Sequence, residues 1–373
     1  MVNLKKTTML KAVHSRIWSL LLCAGLIIGL LTACDDSGSP TTPATPPLAK
    51  ELVLYNWVDY MPQSVLDAFE KEYGIKVNYV VYESQEGAVE DIRAGKLYDV
   101  VVMAPEQIPR LIREGKLAAI DFRNVPNFKY VSANFRDLTF DPGNRYSIPF
   151  HWGTTGLLVR ADLVKRPLTR WSDLWDSDFA GKIALWPIPR SLIPIALKTL
   201  GYSVNTANPA ELEAALQHLL KLKPNAFIVG NENATVIPVL AEGQAAISYG
   251  WAFDALTAQK QGLTTIQYVV PEEGTILWGD HFVIPANSPR RREAELFLDF
   301  VLRPEIAGQI VNESYYAMPH DAARPFILPE ILNNPLIYPP NEQLQKAELT
   351  LPLSAEGDAL YDAIWQRFLA DGK

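Results

Sequence analysis

The chain reads as an α/β protein whose globular part holds two domains. Three observations predict this. Short apolar runs alternate with stretches of helical spacing from Leu52 onward, the pattern of parallel strands joined by helices. The body from Leu52 to the C-terminal Lys373 is long enough for two domains. Both cysteines, Cys23 and Cys34, lie ahead of that body, so its fold is expected to hold without a disulfide.

The N-terminal stretch has the layout of a secretory signal. Lys5, Lys6, Lys11 and Arg16 precede an apolar run over 17–31, which ends in Leu31-Thr32-Ala33-Cys34. That ending matches a lipobox, in which the signal (1–33) is cut ahead of a cysteine that carries lipid, here Cys34. Residues 34–50, rich in Pro, Thr and Ser, then read as a lipidated Cys and a tether too polar to pack. A body held near a membrane by lipid follows. Asp35 resembles the signal that keeps Gram-negative lipoproteins on the inner membrane. Residues 1–33 hold four of the 34 basic residues and none of the 42 acidic ones, so the mature chain carries a net charge of −12. That balance argues against nucleic acid and is compatible with a cationic ligand.

In order along the body, 52–56 predicts a buried strand, and Trp57-Val58-Asp59-Tyr60 the loop after it. Val65, Leu66, Phe69 and Tyr73 keep helical spacing from Pro62 until Gly74 stops them. A strand over 75–82, a helix over 87–94, a strand over 99–103 and a helix through Ile108, Leu111 and Ile112 follow. In the second half, strands are expected at 155–159, 183–185, 245–249, 266–270 and 277–284. Asn208-Pro209-Ala210-Glu211 opens a helix with Leu212, Ala215, Leu216 and Leu219 inward. Ser288-Pro289 is expected to cap a helix burying Ala294, Phe297, Leu298 and Val301, and a last helix carries Leu360, Ile364 and Phe368. There is no internal repeat.

No catalytic, cofactor or metal pattern stands out among the motifs, and His151, His218, His281 and His320 have no metal-ligand spacing. What stands out is aromatic and acidic residues at predicted strand ends, where ligands sit in open α/β sheets: Trp57 with Tyr60, Trp251 with Asp254, and Trp278 with Asp280. Residues i and i+2 of a strand share a face, so Trp278 and Asp280 look into one space and His281 away from it. Each set alone is compatible with a core ring beside a turn acid. Three together suggest a cleft with aromatic walls and carboxylate ends, suited to an alkyl amine.

Several stretches carry a family resemblance: Tyr55-Asn56-Trp57-x-x-Tyr60, Tyr82-Glu83-Ser84, Tyr98-Asp99-Val100-Val101-Val102, Tyr146-Ser147-Ile148-Pro149, Trp152-Gly153-Thr154, Trp171-Ser172-Asp173-Leu174-Trp175, Leu200-Gly201-Tyr202-Ser203 and Trp278-x-Asp280. From about Leu52 to the C-terminus the chain resembles the bacterial spermidine/putrescine-binding proteins of ABC importers. The resemblance implies a two-lobed periplasmic-binding-protein fold, each lobe a mixed sheet flanked by helices, joined by crossing strands and closing on ligand. It places lobe 1 at 51–154 plus 280–325 and lobe 2 at 155–279 plus 326–373. It implies a monomeric, non-enzymatic binding protein that hands a cationic solute to permease subunits. Trp57, Tyr60, Trp251 and Trp278 match the family's lining aromatics. Asp254 and Asp280 match acids that hold ammonium groups, and Tyr316 matches a tyrosine near them.

The departures concern the far end of that site. Ala104 and Glu106 stand where members usually have a serine and an aromatic. Ile188 and Ser191, in Trp186-Pro187-Ile188-Pro189-Arg190-Ser191, stand where one or two acids would be, and Thr350 where a late glutamine would be. An ammonium buried without a carboxylate is costly. One reading has Glu106 replacing the lost acid, leaving a polyamine as ligand. The other has the far end meeting Trp186, Ile188 and Arg190, with an amino acid or other amine-bearing solute as ligand. Glu106 is also compatible with a solvated helix start. A ligand-sensing lipoprotein is the alternative role.

Overall fold

The computed structural model describes residues 47–229 and 236–370. The expected signal, the lipidated Cys34 and the tether as far as residue 46 lie outside the described residues. From there the chain forms β1 (Glu51–Asn56), a helix (Gln63–Tyr73), β2 (Lys76–Val81), a helix (Gln85–Arg93) and β3 (Val100–Met103). β1 pairs in parallel with both β2 and β3, as strands joined by helices must. Gly74, at φ 65°, closes the first helix with its amide on the Glu70 carbonyl at 2.8 Å. Ser84 caps the second by accepting from the Gly87 amide at 3.1 Å.

Strand alternation sorts this half into three layers. Leu52, Leu54, Val100 and Val102 face a core with Val65, Phe69, Phe297 and Val301. Tyr55, Val101 and Met103 face the opposite side, against Ala88, Ile92 and Leu111.

The remaining strands are β4 (Ser147–Arg160), β5 (Ile183–Leu185), β6 (Ala226–Ile228), β7 (Ile247–Trp251), β8 (Ile266–Val269), β9 (Ile276–Val283) and β10 (Glu348–Leu349). The sheet order is β2-β1-β3-β9-β4-β7-β5-β6, with β8 beside β4 and β10 beside β9. β4 is far longer than the strand expected at 155–159. Its residues 147–155 run antiparallel to β9, and 155–159 run antiparallel to β7. β9 in turn pairs with β3 through His281, Phe282 and Val283. β4 therefore gives Ile148, Phe150 and Trp152 to the first core, and Leu157, Leu158 and Val159 to a second core around Trp171, Ile183, Leu216, Ile247 and Tyr361. These are the two lobes, joined by the crossing strands β4 and β9.

Three expectations change. The stretch 326–373 was expected wholly in the second lobe. Ile327, Ile331 and Ile337 instead pack in the first core, while Tyr361, Ile364 and Phe368 pack in the second. Gly308 explains the docking of Phe326, since a Cβ there would meet the Phe326 Cβ at 2.5 Å. Ser288 does not cap the next helix, which spans Arg291–Val301. Its hydroxyl donates to buried Asp99 at 2.7 Å, and that carboxylate also takes the Val53 amide and Arg290. Finally, β7 runs two residues beyond the expected strand, so Trp251 is its last member, opposite Thr155.

Candidate functional site

Four segments converge where the crossing strands leave the first lobe. β1 ends at buried Asn56, and the turn after it presents Trp57 and Tyr60. Trp57 stands 4.5 Å from the Tyr82 ring, and its carbonyl accepts from the Tyr79 hydroxyl. Tyr60 lies 4.5 Å from the Tyr316 ring and edge-on to His151 at 5.2 Å.

β9 supplies the second segment. Trp278 is paired opposite Gly153 of β4 and Asp280 opposite His151, so the two side chains share a face. A Cβ on Gly153 would come within 2.4 Å of the Trp278 Cζ2, so the indole lies against bare β4 backbone. His281 points the other way, buried with its ring 5.3 Å from Phe140; burial without a charged partner brings its imidazole down to about 3.

Asp280 is 6% exposed. Burial pushes its carboxyl up to about 7, the Tyr60 hydroxyl opposes the rise, and the charge of Glu106 adds to it. Asp254 sits in the first turn of the helix Ala252–Lys260 and accepts the Trp251 amide at 2.8 Å. It too is pushed up to about 7 by burial. Among the described residues no lysine or arginine offsets either burial. Tyr316 lies in the field of both acids, which with burial raise its hydroxyl well above the usual range. Its ring stacks on Phe253 at 4.2 Å and meets Trp278 at 6.1 Å.

The far end is built from β3 and β5. Glu106 sits in the turn Pro105–Gln107 beyond β3. Burial raises its carboxyl, Arg190 draws it down, and Asp358 pushes it up. Glu106 is half-buried in the first turn of a short helix, and its charge is felt by both Asp280 and Arg190. Beyond β5, buried Trp186 meets the Trp251 ring at 4.6 Å. Arg190 starts the helix Pro189–Thr199, its guanidinium 4.7 Å over the Tyr361 ring and its Nη2 donating to the Leu351 carbonyl at 2.8 Å.

Ring contacts and electrostatic coupling link Tyr60, Tyr316, Trp278 and Asp280; Asp254 acts on Tyr316, Glu106 on Asp280, Trp57 touches Tyr82, and Trp251 meets Trp186. Trp57 and Tyr60 pack against the first core, and Trp251 against the second. Sequence reasoning gave no site role to Tyr82, His151 or Phe253. Tyr82 feels the Asp280 charge, and Phe253 backs Tyr316. The only signal for Phe253 was its place between Trp251 and Asp254.

Residues 64–325 match the family model described as bacterial extracellular solute-binding protein. The chain belongs to this family. Among its relatives, the solute-binding protein from Escherichia coli (strain K12) called "Spermidine/putrescine-binding periplasmic protein" is 34% identical over 358 residues, covering 95% of this chain and 99% of that one. The "Putrescine-binding periplasmic protein SpuD" of Pseudomonas aeruginosa (strain UCBPP-PA14) is 30% identical, covering 93% and 96%. The solved spermidine/putrescine ABC transporter substrate-binding protein PotD from Streptococcus pneumoniae is 28% identical with a TM-score of 0.79, covering 87% of this chain and all of that one. The fold is thus the two-lobed fold of extracytoplasmic solute-binding proteins, whose members are substrate-binding components of transporters.

Proposed function

We propose that this solute-binding protein takes a polyamine of the putrescine or spermidine kind into a cleft between its lobes and delivers it to the permease of an ABC importer. One observation carries the reading: Asp280 and Asp254 are buried carboxylates with no cationic partner, set among the rings of Trp57, Tyr60, Trp278 and Tyr316. Ionised, they stabilise a bound ammonium, and the ring faces add cation–π attraction. Glu106, in the field of Arg190, takes the place of the acids absent at Ile188 and Ser191. The names of the relatives support the ligand class.

In this reading the first lobe takes 51–154, 280–325 and the following stretch through Ile337, the second takes 155–279 and the C-terminal helix, and ligand closes one on the other as a monomer. Cys34 carries lipid and holds the mature protein on the outer side of the cytoplasmic membrane. The test is a thermal-shift and calorimetric titration of the lipid-free body with putrescine, cadaverine and spermidine. The expected result is a saturable rise in Tm with at least one of them. No response to any amine overturns the proposal.

A further inference from the structure

The far end holds donors that an ammonium cannot satisfy. Trp186 Nε1 and Arg190 Nε and Nη1 are buried and, among the described residues, have no hydrogen-bond partner. Trp186 follows β5 directly, and Arg190 stands in the first turn of the helix Pro189–Thr199. Buried polar groups in folded proteins are nearly always paired, so such a cluster marks a place for acceptors. Among the described residues no carboxylate forms an ion pair with Arg190, although Glu106 and Asp358 lie in its field. Trp278 Nε1 is also unpaired, but Trp278 lines a small cavity of about 20 Å³, room enough for a water, and it carries no weight here.

A second ammonium brings only donors and a positive charge, and can use Glu106 alone. A carboxylate brings acceptors, and the planar guanidinium, held by the Tyr361 ring and by Nη2 on the Leu351 carbonyl, keeps its Nε and Nη1 N–H groups to donate to it. We infer that the far end is two-signed, with Glu106 receiving an ammonium and Arg190, beside the Trp186 indole, receiving a carboxylate, so that the protein binds ω-amino acids as well as diamines. The inference rests on the proposed amine end at Trp278 and Asp280.

The experiment is calorimetric titration at pH 8 with two matched pairs: putrescine and 4-aminobutyrate, cadaverine and 5-aminovalerate. Proteins are the wild type, Glu106→Gln, Arg190→Met and Arg190→Lys, the last keeping the charge without the planar guanidinium. Both members of at least one pair bind the wild type. Arg190→Met shifts the affinity ratio toward the diamine and Glu106→Gln toward the amino acid, each by roughly ten- to a hundred-fold. Arg190→Lys falls between wild type and Arg190→Met. A wild type that binds diamines but neither amino acid overturns this inference and leaves the amine reading intact. So does an Arg190→Met protein that weakens both members of a pair equally, because the guanidinium would then only brace the lobe. A wild type that binds none of the four overturns both.

Discussion

Acidification uncouples the amine end, and its size follows from Asp280. Its carboxyl is held at about 7, against an ordinary 3.8, by burial that the Tyr60 hydroxyl only partly offsets. Binding an ammonium requires the ionised form. At pH 8 that form dominates; at pH 5.5 it is roughly 3% of the population, and restoring it costs about 2 kcal/mol. A diamine stays doubly protonated throughout, since alkyl amines titrate near pH 10. His151, lowered by burial to about 4, and His281, at about 3, stay neutral across the same window. The dissociation constant for putrescine is therefore expected to weaken about 30-fold between pH 8 and pH 5.5 through Asp280 alone. Asp254, also at about 7, steepens the slope where the ligand engages both acids. Calorimetry at half-unit steps measures this, with Asp280→Asn as control. The variant keeps the shape of the side chain, binds at least ten-fold more weakly at pH 8, and has a shallower slope. A dissociation constant that is flat from pH 5.5 to 8, or an Asp280→Asn protein with wild-type affinity and slope, refutes the role given to this carboxylate.

Two further outcomes follow from the same geometry. In the ligand-free protein Asp280 and Asp254 act on stability with the opposite sign from acids that are paired with arginine. Because the folded pKa of Asp280 and of Asp254 exceeds the unfolded one, their contribution is most favourable below about pH 4 and is lost as pH rises to about 7, at about 1.4 kcal/mol per unit for each group. Acids held low by arginines, such as Asp121 at about 2, titrate below this window. The buried imidazoles of His151 and His281, at about 4 and about 3, take up protons only on unfolding below about pH 6.5 and add the opposite slope, so the test is a difference: the Tm of the wild type minus that of Asp280→Asn should fall between pH 5 and 7 without ligand, and a difference that rises over that range contradicts the burial argument. Gly153→Ala places a Cβ 2.4 Å from the Trp278 Cζ2 and 2.7 Å from its Cε2, so the indole must move. Overpacking of this kind costs about 1–3 kcal/mol, and a folded variant with unchanged amine affinity would separate Trp278 from the site.

Much of this site was legible because aromatic and acidic residues follow apolar runs in the chain: Trp57 after β1, Asp254 just past β7. The i, i+2 rule sufficed for Trp278 and Asp280. The length of β4 was hidden because it contains Pro149, Gly153 and Gly156, all poor strand residues. Each has a tertiary reason. The register slips between Pro149 and His151. Gly153 clears the Trp278 indole, and a Cβ at Gly156 would come within 2.4 Å of the Val269 carbonyl. The packing of Ile327, Ile331 and Ile337 on the first core was likewise invisible, since apolar spacing says that a residue is buried but not against which lobe. The sequence offered Trp186 and Arg190 as a far end, but not their neighbours Trp251 and Tyr361, nor that among the described residues three of their nitrogens have no acceptor.

The most direct test of amine recognition between the lobes is a crystal structure of the lipid-free body with putrescine bound. The expected result has one ammonium nitrogen within roughly 2.7–3.2 Å of an Asp280 carboxylate oxygen, with the carbon chain against the Trp57 and Trp278 rings. Putrescine bound elsewhere, or a filled cleft in which Asp280 contacts no nitrogen of the ligand, contradicts it.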